Sequence, residues 1–243
     1  MQGTSGMHEP GMCELKLTCR RKAVTKWDDG TPSCEECVSD FREFLKRDEL
    51  ARLESRIQEL HNRGLDLPEG FPNIASDPAI EDGNSESWAK ARDWEADKNV
   101  YIYGPVGTGK TWMSHILLQN AFIGTQFRHG CSVGVVSARQ FCKVTDRYDD
   151  KGRLKAWSQC KVLLLDDLDK GNWNTERLGA LWDLLDYRNT HSSFTIITAN
   201  VSPVALREVL REAAPNNRSM ADSCFDRLKP CLTIELKGKS LRK

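Results

Sequence analysis

No stretch of the 243-residue sequence is apolar over the length of a bilayer, and the opening Met1-Gln2-Gly3-Thr4-Ser5-Gly6 leads into no apolar signal core. A spanning helix needs about 20 apolar residues and a secretory leader needs its own apolar block. The expectation is therefore a soluble, cytoplasmic protein with no membrane partner. Excess charge of either sign is also missing, since 35 basic and 35 acidic residues balance. Global charge thus predicts no nucleic-acid or membrane binding, and any such binding has to come from local patches. The nine cysteines are an odd count, which argues against a fully paired disulfide framework. The length allows one or two domains with a sizeable core.

Against these absences stands one dense stretch, Val100-Tyr101-Ile102-Tyr103-Gly104-Pro105-Val106-Gly107-Thr108-Gly109-Lys110-Thr111. A short apolar, aromatic run reads as a buried strand and opens into a glycine-rich loop ending in Lys-Thr. Residues 112–118 then carry the apolar spacing of a helix. Strand, G-x-x-x-x-G-K-T and helix together form the context of a phosphate-binding loop. The glycines let the backbone curl round an anion with its N–H groups inward, where a Cβ would obstruct. Lys110 is expected to reach the β- and γ-phosphates of ATP, Thr111 to ligate Mg²⁺, and the helix N-terminus to add its positive end.

A second apolar run, Lys161-Val162-Leu163-Leu164-Leu165, ends in Asp166-Asp167. A strand buried between helices delivers its terminal carboxylate to the sheet edge, so Asp166 is expected beside the nucleotide Mg²⁺. Asp167 is then placed to orient or deprotonate the attacking water. Phe194-Thr195-Ile196-Ile197-Thr198-Ala199-Asn200 reads as a further buried strand whose Asn200 can bond the γ-phosphate or the water. Residues 132–137 and 231–236 read as strands too. Ser87 is read as the N-cap of a helix through Trp88, Ala91 and Trp94 that ends near Asp97.

The first forty residues differ in kind. Cys13, Cys19, Cys34 and Cys37 lie there, the last two as Cys34-Glu35-Glu36-Cys37, with fourteen residues between the pairs. Four thiolates at this spacing fit a tetrahedral Zn²⁺ site, and Asp28-Asp29-Gly30-Thr31-Pro32 suits a hairpin turn that brings the second pair back. The first pair is irregular, with five intervening residues, and His8 is an alternative ligand to Cys13. A redox pair and an unstructured tail are the competing readings. Arg20, Arg21, Lys22, Lys26 and Trp27 form a basic-aromatic patch that suits single-stranded nucleic acid, an acidic partner or merely a solvated face. Cys131, Cys142, Cys160, Cys224 and Cys231 sit in apolar stretches and read as small core residues.

Between these regions, Phe41, Phe44, Leu45, Leu50, Leu53, Ile57 and Leu60 recur at helical spacing, with Gly64 as a stop. Residues 67–86 are rich in Pro, Gly, Asp, Asn and Ser. The expected layout is a zinc-binding segment at 1–40, an amphipathic helix at 41–64, a linker at 65–85 and an ATPase domain at 86–243.

Ala91-Arg92-Asp93-Trp94, the loop at 104–111, Leu165-Asp166-Asp167, Thr198-Ala199-Asn200, Asp226-Arg227-Leu228 and Gly238-Lys239-Ser240-Leu241-Arg242 together resemble the DnaC/DnaI-type helicase loaders. The related IstB-type transposition ATPases share these features, and both belong to the AAA+ class. The resemblance implies a P-loop α/β fold with a five-stranded parallel sheet, order 5-1-4-3-2, and little or no lid; a chain stopping at Lys243 leaves no residues for one. It makes Asn200 the sensor of the γ-phosphate, Arg227 an arginine finger reaching a neighbouring subunit, and Arg242 a second sensor that helps to bind the nucleotide. It implies a homo-oligomer that binds single-stranded DNA and a replicative helicase. Two departures stand out: position 167 is Asp where the family usually has Glu, and Ser223 stands where many members have a second Arg. Slow hydrolysis follows from the first. A helicase loader, an IstB-like transposition ATPase and a weakly hydrolysing nucleotide-switched adaptor are the three functions compatible with these residues.

Overall fold

The computed structural model describes residues 25–26, 32–33, 35–71, 74, 84–94, 98–124, 131–146, 151–228, 231–238 and 240. The chain divides into two compact units, Met1–Arg56 and Ile57–Lys243. In the first, β1 (Thr25–Lys26) and β2 (Pro32–Ser33) pair antiparallel, Thr25 opposite Ser33 and Lys26 opposite Pro32. This antiparallel pairing is what the Asp-Gly-Pro composition between the two strands anticipates.

Helix α1 (Glu35–Asn62) starts six residues before the apolar periodicity does. Its exposed face is charged, and Leu50 is also 49% exposed. The helix ends as Gly64 predicts. Gly64 adopts φ 75°, its N–H donates to His61 O at 2.9 Å, and Leu65 N–H donates to Leu60 O at 3.0 Å. Those two bonds define a Schellman stop, which normally carries an apolar contact between the residue after the glycine and the last turn. Leu60 and Leu65 are both buried.

The second unit is built on a five-stranded, all-parallel sheet: β3 (Asn99–Tyr103), β4 (Val133–Ser137), β5 (Val162–Asp166), β6 (Phe194–Ala199) and β7 (Cys231–Glu235), in spatial order β4-β5-β6-β3-β7. Counted within the sheet, this is the 5-1-4-3-2 order that the resemblance implies. The helices are α2 (Ser85–Arg92), α3 (Lys110–Ile123), α4 (Ala138–Thr145), α5 (Lys151–Gln159), α6 (Thr175–Thr190), α7 (Pro203–Ala213) and α8 (Arg218–Leu228). The inner strands are near-continuous apolar runs because helices cover them, as parallel sheets require. Met113, Leu117, Leu118, Phe122, Leu163 and Ile197 are buried there.

Three details differ from the sequence reading. The N-cap of α2 is Asn84, not Ser87, and the helix ends at Arg92. Asn84 bonds the backbone N and O of Lys237, at 2.7 and 3.2 Å, while Ser87 Oγ donates to Glu235 O at 2.6 Å. The segment expected as linker is in part packed into the second unit, to which it belongs. Val135 N–H of edge strand β4 donates to Asp66 O at 3.1 Å, Phe71 lies 4.9 Å from Phe122, and Ile74 N–H donates to Gln119 Oε1 at 2.8 Å.

Arg188 is wholly buried without a carboxylate. Its guanidinium donates to Thr195 Oγ1 at 3.0 Å and to the carbonyls of Trp157, Cys160 and Phe194. It ties α5 to the starts of β5 and β6, a fork of donors that lysine lacks. Burial lowers its pKa.

Candidate functional site

The C-terminal tips of β3, β5 and β6 lie side by side, because Ala199 pairs with Tyr103 and Ile197 with Leu165. From this edge the chain leaves β3 as the glycine-rich loop. Gly107 and Gly109 have φ 84° and 92°, conformations that a Cβ disfavours. Thr108 Oγ1 donates to Pro105 O at 2.9 Å, closing the loop on itself. Lys110, only 6% exposed, donates to Gly104 O at 2.9 Å and Pro105 O at 2.8 Å. The ammonium thus sits inside the curl of the loop, where a phosphate oxygen would exchange for carbonyls. Met113 N–H to Gly109 O, at 2.9 Å, is the first bond of α3, so the N–H groups of residues 110–112 precede the intrahelical ladder. Such an N-terminus favours anions.

The carboxylate-bearing strand β5 meets the loop as the motifs require. Thr111 Oγ1 lies 3.3 Å from Asp166 Oδ1. Two hard oxygen donors in contact at the mouth of a phosphate cradle are the donor set that Mg²⁺ takes, with the rest supplied by phosphate and solvent. The residues present therefore fit Mg²⁺.

Thr198, one position of the Thr-Ala-Asn run, joins the two acids. Its Oγ1 donates to Asp166 Oδ1 at 2.6 Å and accepts Asp167 N–H at 2.8 Å. Asp167 is held at φ 54°, a left-handed conformation that Asp tolerates better than most side chains. Its pKa is raised, by burial first and then by the charges of Asp166 and Asp169, while Lys110 and Lys170 oppose the shift. Asn200 does not stand alone at the tip of β6. Its backbone N–H donates to Asp169 Oδ1 at 3.0 Å and its Nδ2 reaches Asp169 Oδ2 at 3.0 Å. His115, one helical turn beyond Thr111, has its pKa lowered by burial, with Asp166 pulling the other way. Sequence reasoning missed Thr198, Asp169 and His115 as site members; only the i+4 step from Thr111 to His115 was there to be read.

The segment after β7 crosses the loop. Leu236 N–H donates to Tyr103 O at 2.7 Å. A Cβ on Gly104 would stand 2.1 Å from Leu236 O, and one on Gly107 would stand 2.1 Å from Ser240 Oγ. The glycines that make room for phosphate also make room for the chain's own C-terminal stretch. Arg242, expected to assist there, lies outside the described residues.

Arg227 is in the last turn of α8. Its Nε donates to Asp186 Oδ1 at 2.8 Å, its guanidinium lies 5.5 Å from the Trp182 ring centre, and its backbone O accepts from Asn189 Nδ2. Asn189 in turn bonds Asn99, at the start of β3. Its backbone therefore lies near the N-terminal strand ends, about 16 Å of strand from the loop.

Cys13, Cys19 and Cys34 lie outside the described residues, as does the Cys37 side chain. Among the described residues no group of three or more His, Cys, Asp or Glu is placed to hold a metal, and no helix is long and apolar enough to cross a membrane.

The family model described as IstB-like ATP binding protein matches residues 12–243. An ATP-binding protein of an insertion sequence in Mycobacterium tuberculosis is 24% identical over 172 residues, covering 68% of this chain and 66% of that protein. The chain thus spans just under two thirds of that curated relative. Among solved structures, DnaI superposes with TM-score 0.58 at 20% identity, over 71% of this chain and 96% of DnaI. The replication initiator DnaA bound to AMPPCP and single-stranded DNA superposes with TM-score 0.50 at 18% identity, over 68% of this chain and 48% of that one. At these identities the two superpositions establish the fold.

Proposed function

From the premise that this chain belongs to the family of IstB-like ATP-binding proteins, with the AAA+ fold, we propose that it hydrolyses ATP to place a replicative helicase on single-stranded DNA. The observation that carries the ATPase half is the 3.3 Å approach of Thr111 Oγ1 to Asp166 Oδ1, which joins the phosphate loop to the acidic strand tip. Lys110 leaves the loop carbonyls for the β- and γ-phosphates. Thr111 and Asp166 would hold Mg²⁺, which would supply neutralisation of the charge that develops on the phosphates. Asp167 accepts a hydrogen bond from the attacking water, and Asn200, fixed by Asp169, donates to the γ-phosphate. Arg227 acts on the site of the next subunit of a homo-oligomer, and Arg242 assists at the nucleotide.

The loader reading is supported by a superposition that takes in nearly all of DnaI. The expected result is ATP turnover that rises with single-stranded DNA, is abolished by Lys110→Ala, and accompanies nucleotide-dependent capture of a purified replicative helicase. Failure to bind helicase in the ATP, ADP and nucleotide-free states would sink the loader. A second reading, a transposition ATPase, is favoured by the family model and by the insertion-sequence relative. ATP-driven filaments on duplex DNA, without helicase binding, would select it.

We also assign Zn²⁺ to Cys13, Cys19, Cys34 and Cys37, on the thiol spacing alone. Gently purified protein should retain about one equivalent, and less than about half would contradict a structural site.

A further inference from the structure

Among the described residues the exposed large apolar side chains are Leu50, Val106, Trp112, Ile123 and Val204. Two of these five, Val106 and Trp112, belong to the phosphate loop and to the first turn of the helix it feeds. Trp112 is the larger and is 36% exposed.

Helix geometry says where that face lies. Successive residues step round an α-helix by about 100°. In the first turn of α3, Lys110 turns into the loop and Thr111 turns to Asp166. Met113 turns wholly into the core. Trp112 takes the remaining direction, away from both the acidic strand and the core. Its N–H is also the last before the intrahelical ladder begins at Met113. The phosphate-facing N–H groups therefore end at residue 112. A triphosphate whose β- and γ-groups are held by Lys110 and Thr111 leaves its nucleoside to be held by side chains outside the phosphate cradle, and Trp112 borders that cradle.

We propose that the Trp112 indole packs against the ribose–base half of the bound nucleotide and so makes the site select a nucleoside triphosphate over bare polyphosphate. This rests on the nucleotide reading above and adds the residue that recognises the nucleoside. Neither the loop motif nor the acidic strand supplies that contact, since both address phosphate and metal alone. An aromatic face suits the task because every base has a π-face, and stacking on such a face strengthens binding about ten-fold or more.

The test compares two ligands by calorimetry at fixed Mg²⁺: ATP, and inorganic tripolyphosphate, which keeps the phosphates and lacks the nucleoside. A thermal melt of Trp112→Ala followed by circular dichroism establishes that the variant is folded before its affinities are compared. The expected result is an ATP Kd raised about ten-fold, the lower part of the stacking range, with tripolyphosphate binding changed less than about two-fold and Trp112→Phe retaining most of the ATP affinity. Equal loss for both ligands, or unchanged ATP binding in Trp112→Ala, would overturn the proposal. Wild-type protein that binds neither ligand would instead overturn the nucleotide reading, and this inference with it.

Discussion

At Asp167 the backbone and the charge make opposing demands. The left-handed φ of 54° favours Asp over a longer side chain, and Thr198 Oγ1 fixes that conformation by accepting the Asp167 N–H. This gives a physical reason for Asp here: a Glu would gain reach and lose conformational fit. The raised pKa fixes the sign of the pH dependence. A carboxyl with a folded-state pKa above its unfolded value adds stability only at low pH and loses it as pH rises through the folded value. Asp167→Asn should therefore raise the melting temperature at neutral pH, and this gain should fade as the pH falls from the raised folded-state value towards the ordinary Asp range, below which it is gone. The same variant should lose ATP turnover if Asp167 orients the water. Thermal melts of both proteins from pH 4 to 8 check the first outcome; a gain that grows towards low pH would reverse the assignment. ATP hydrolysis checks the second.

At the scale of elements, the C-terminal stretch and the phosphate loop share one space. Gly107→Ala would set a Cβ 2.1 Å from Ser240 Oγ, at a φ of 84°. The expected cost is about 1–3 kcal/mol for the backbone strain, together with weakened ATP binding. Adding Ser240→Gly should return part of the stability, because it relieves the clash and leaves the φ strain. Urea unfolding of the four proteins in this cycle reads the coupling, and strict additivity would show that the two residues do not meet. These elements differ in how far the sequence discloses them. The strands at 99–103, 162–166 and 194–199 are legible because buried parallel strands are apolar throughout, and the Schellman stop because Gly64 follows a helical period. The packing of residues 65–74 is not: one buried Leu65 and one bridge at Asp66 are embedded in turn-forming composition. The ties of Thr198 to Asp166 and of Asp169 to Asn200 are not legible either, since each joins residues about thirty positions apart. The position of Asn84 rather than Ser87 at the start of α2 is illegible for a similar reason, since both side chains are engaged across the fold, Asn84 with Lys237 and Ser87 with Glu235.

For the whole molecule, the question is whether one chain contains a complete ATP site. Lys110, Thr111, Asp166, Asp167 and Asn200 come together at the C-terminal edge of the sheet, whereas Arg227 follows from α8 near the opposite strand ends. An arginine a strand length away cannot serve its own phosphate, but it can serve a neighbour's. Its half-exposed pair with Asp186 does not bar this, because a surface ion pair contributes about 0–1 kcal/mol and exchanges readily for a phosphate contact. The arrangement predicts complementation. Lys110→Ala should lose ATP binding and keep a usable Arg227, while Arg227→Ala should keep wild-type ATP affinity and lose turnover. Mixing the two inactive proteins should restore hydrolysis at interfaces where an intact Lys110 site faces an intact Arg227, and the regained rate should rise with total protein concentration as subunits associate. A mixture no more active than its components, with both variants folded and associating, would remove Arg227 from the site and leave it a surface partner of Asp186. Turnover by Arg227→Ala equal to wild type would do the same without any mixing.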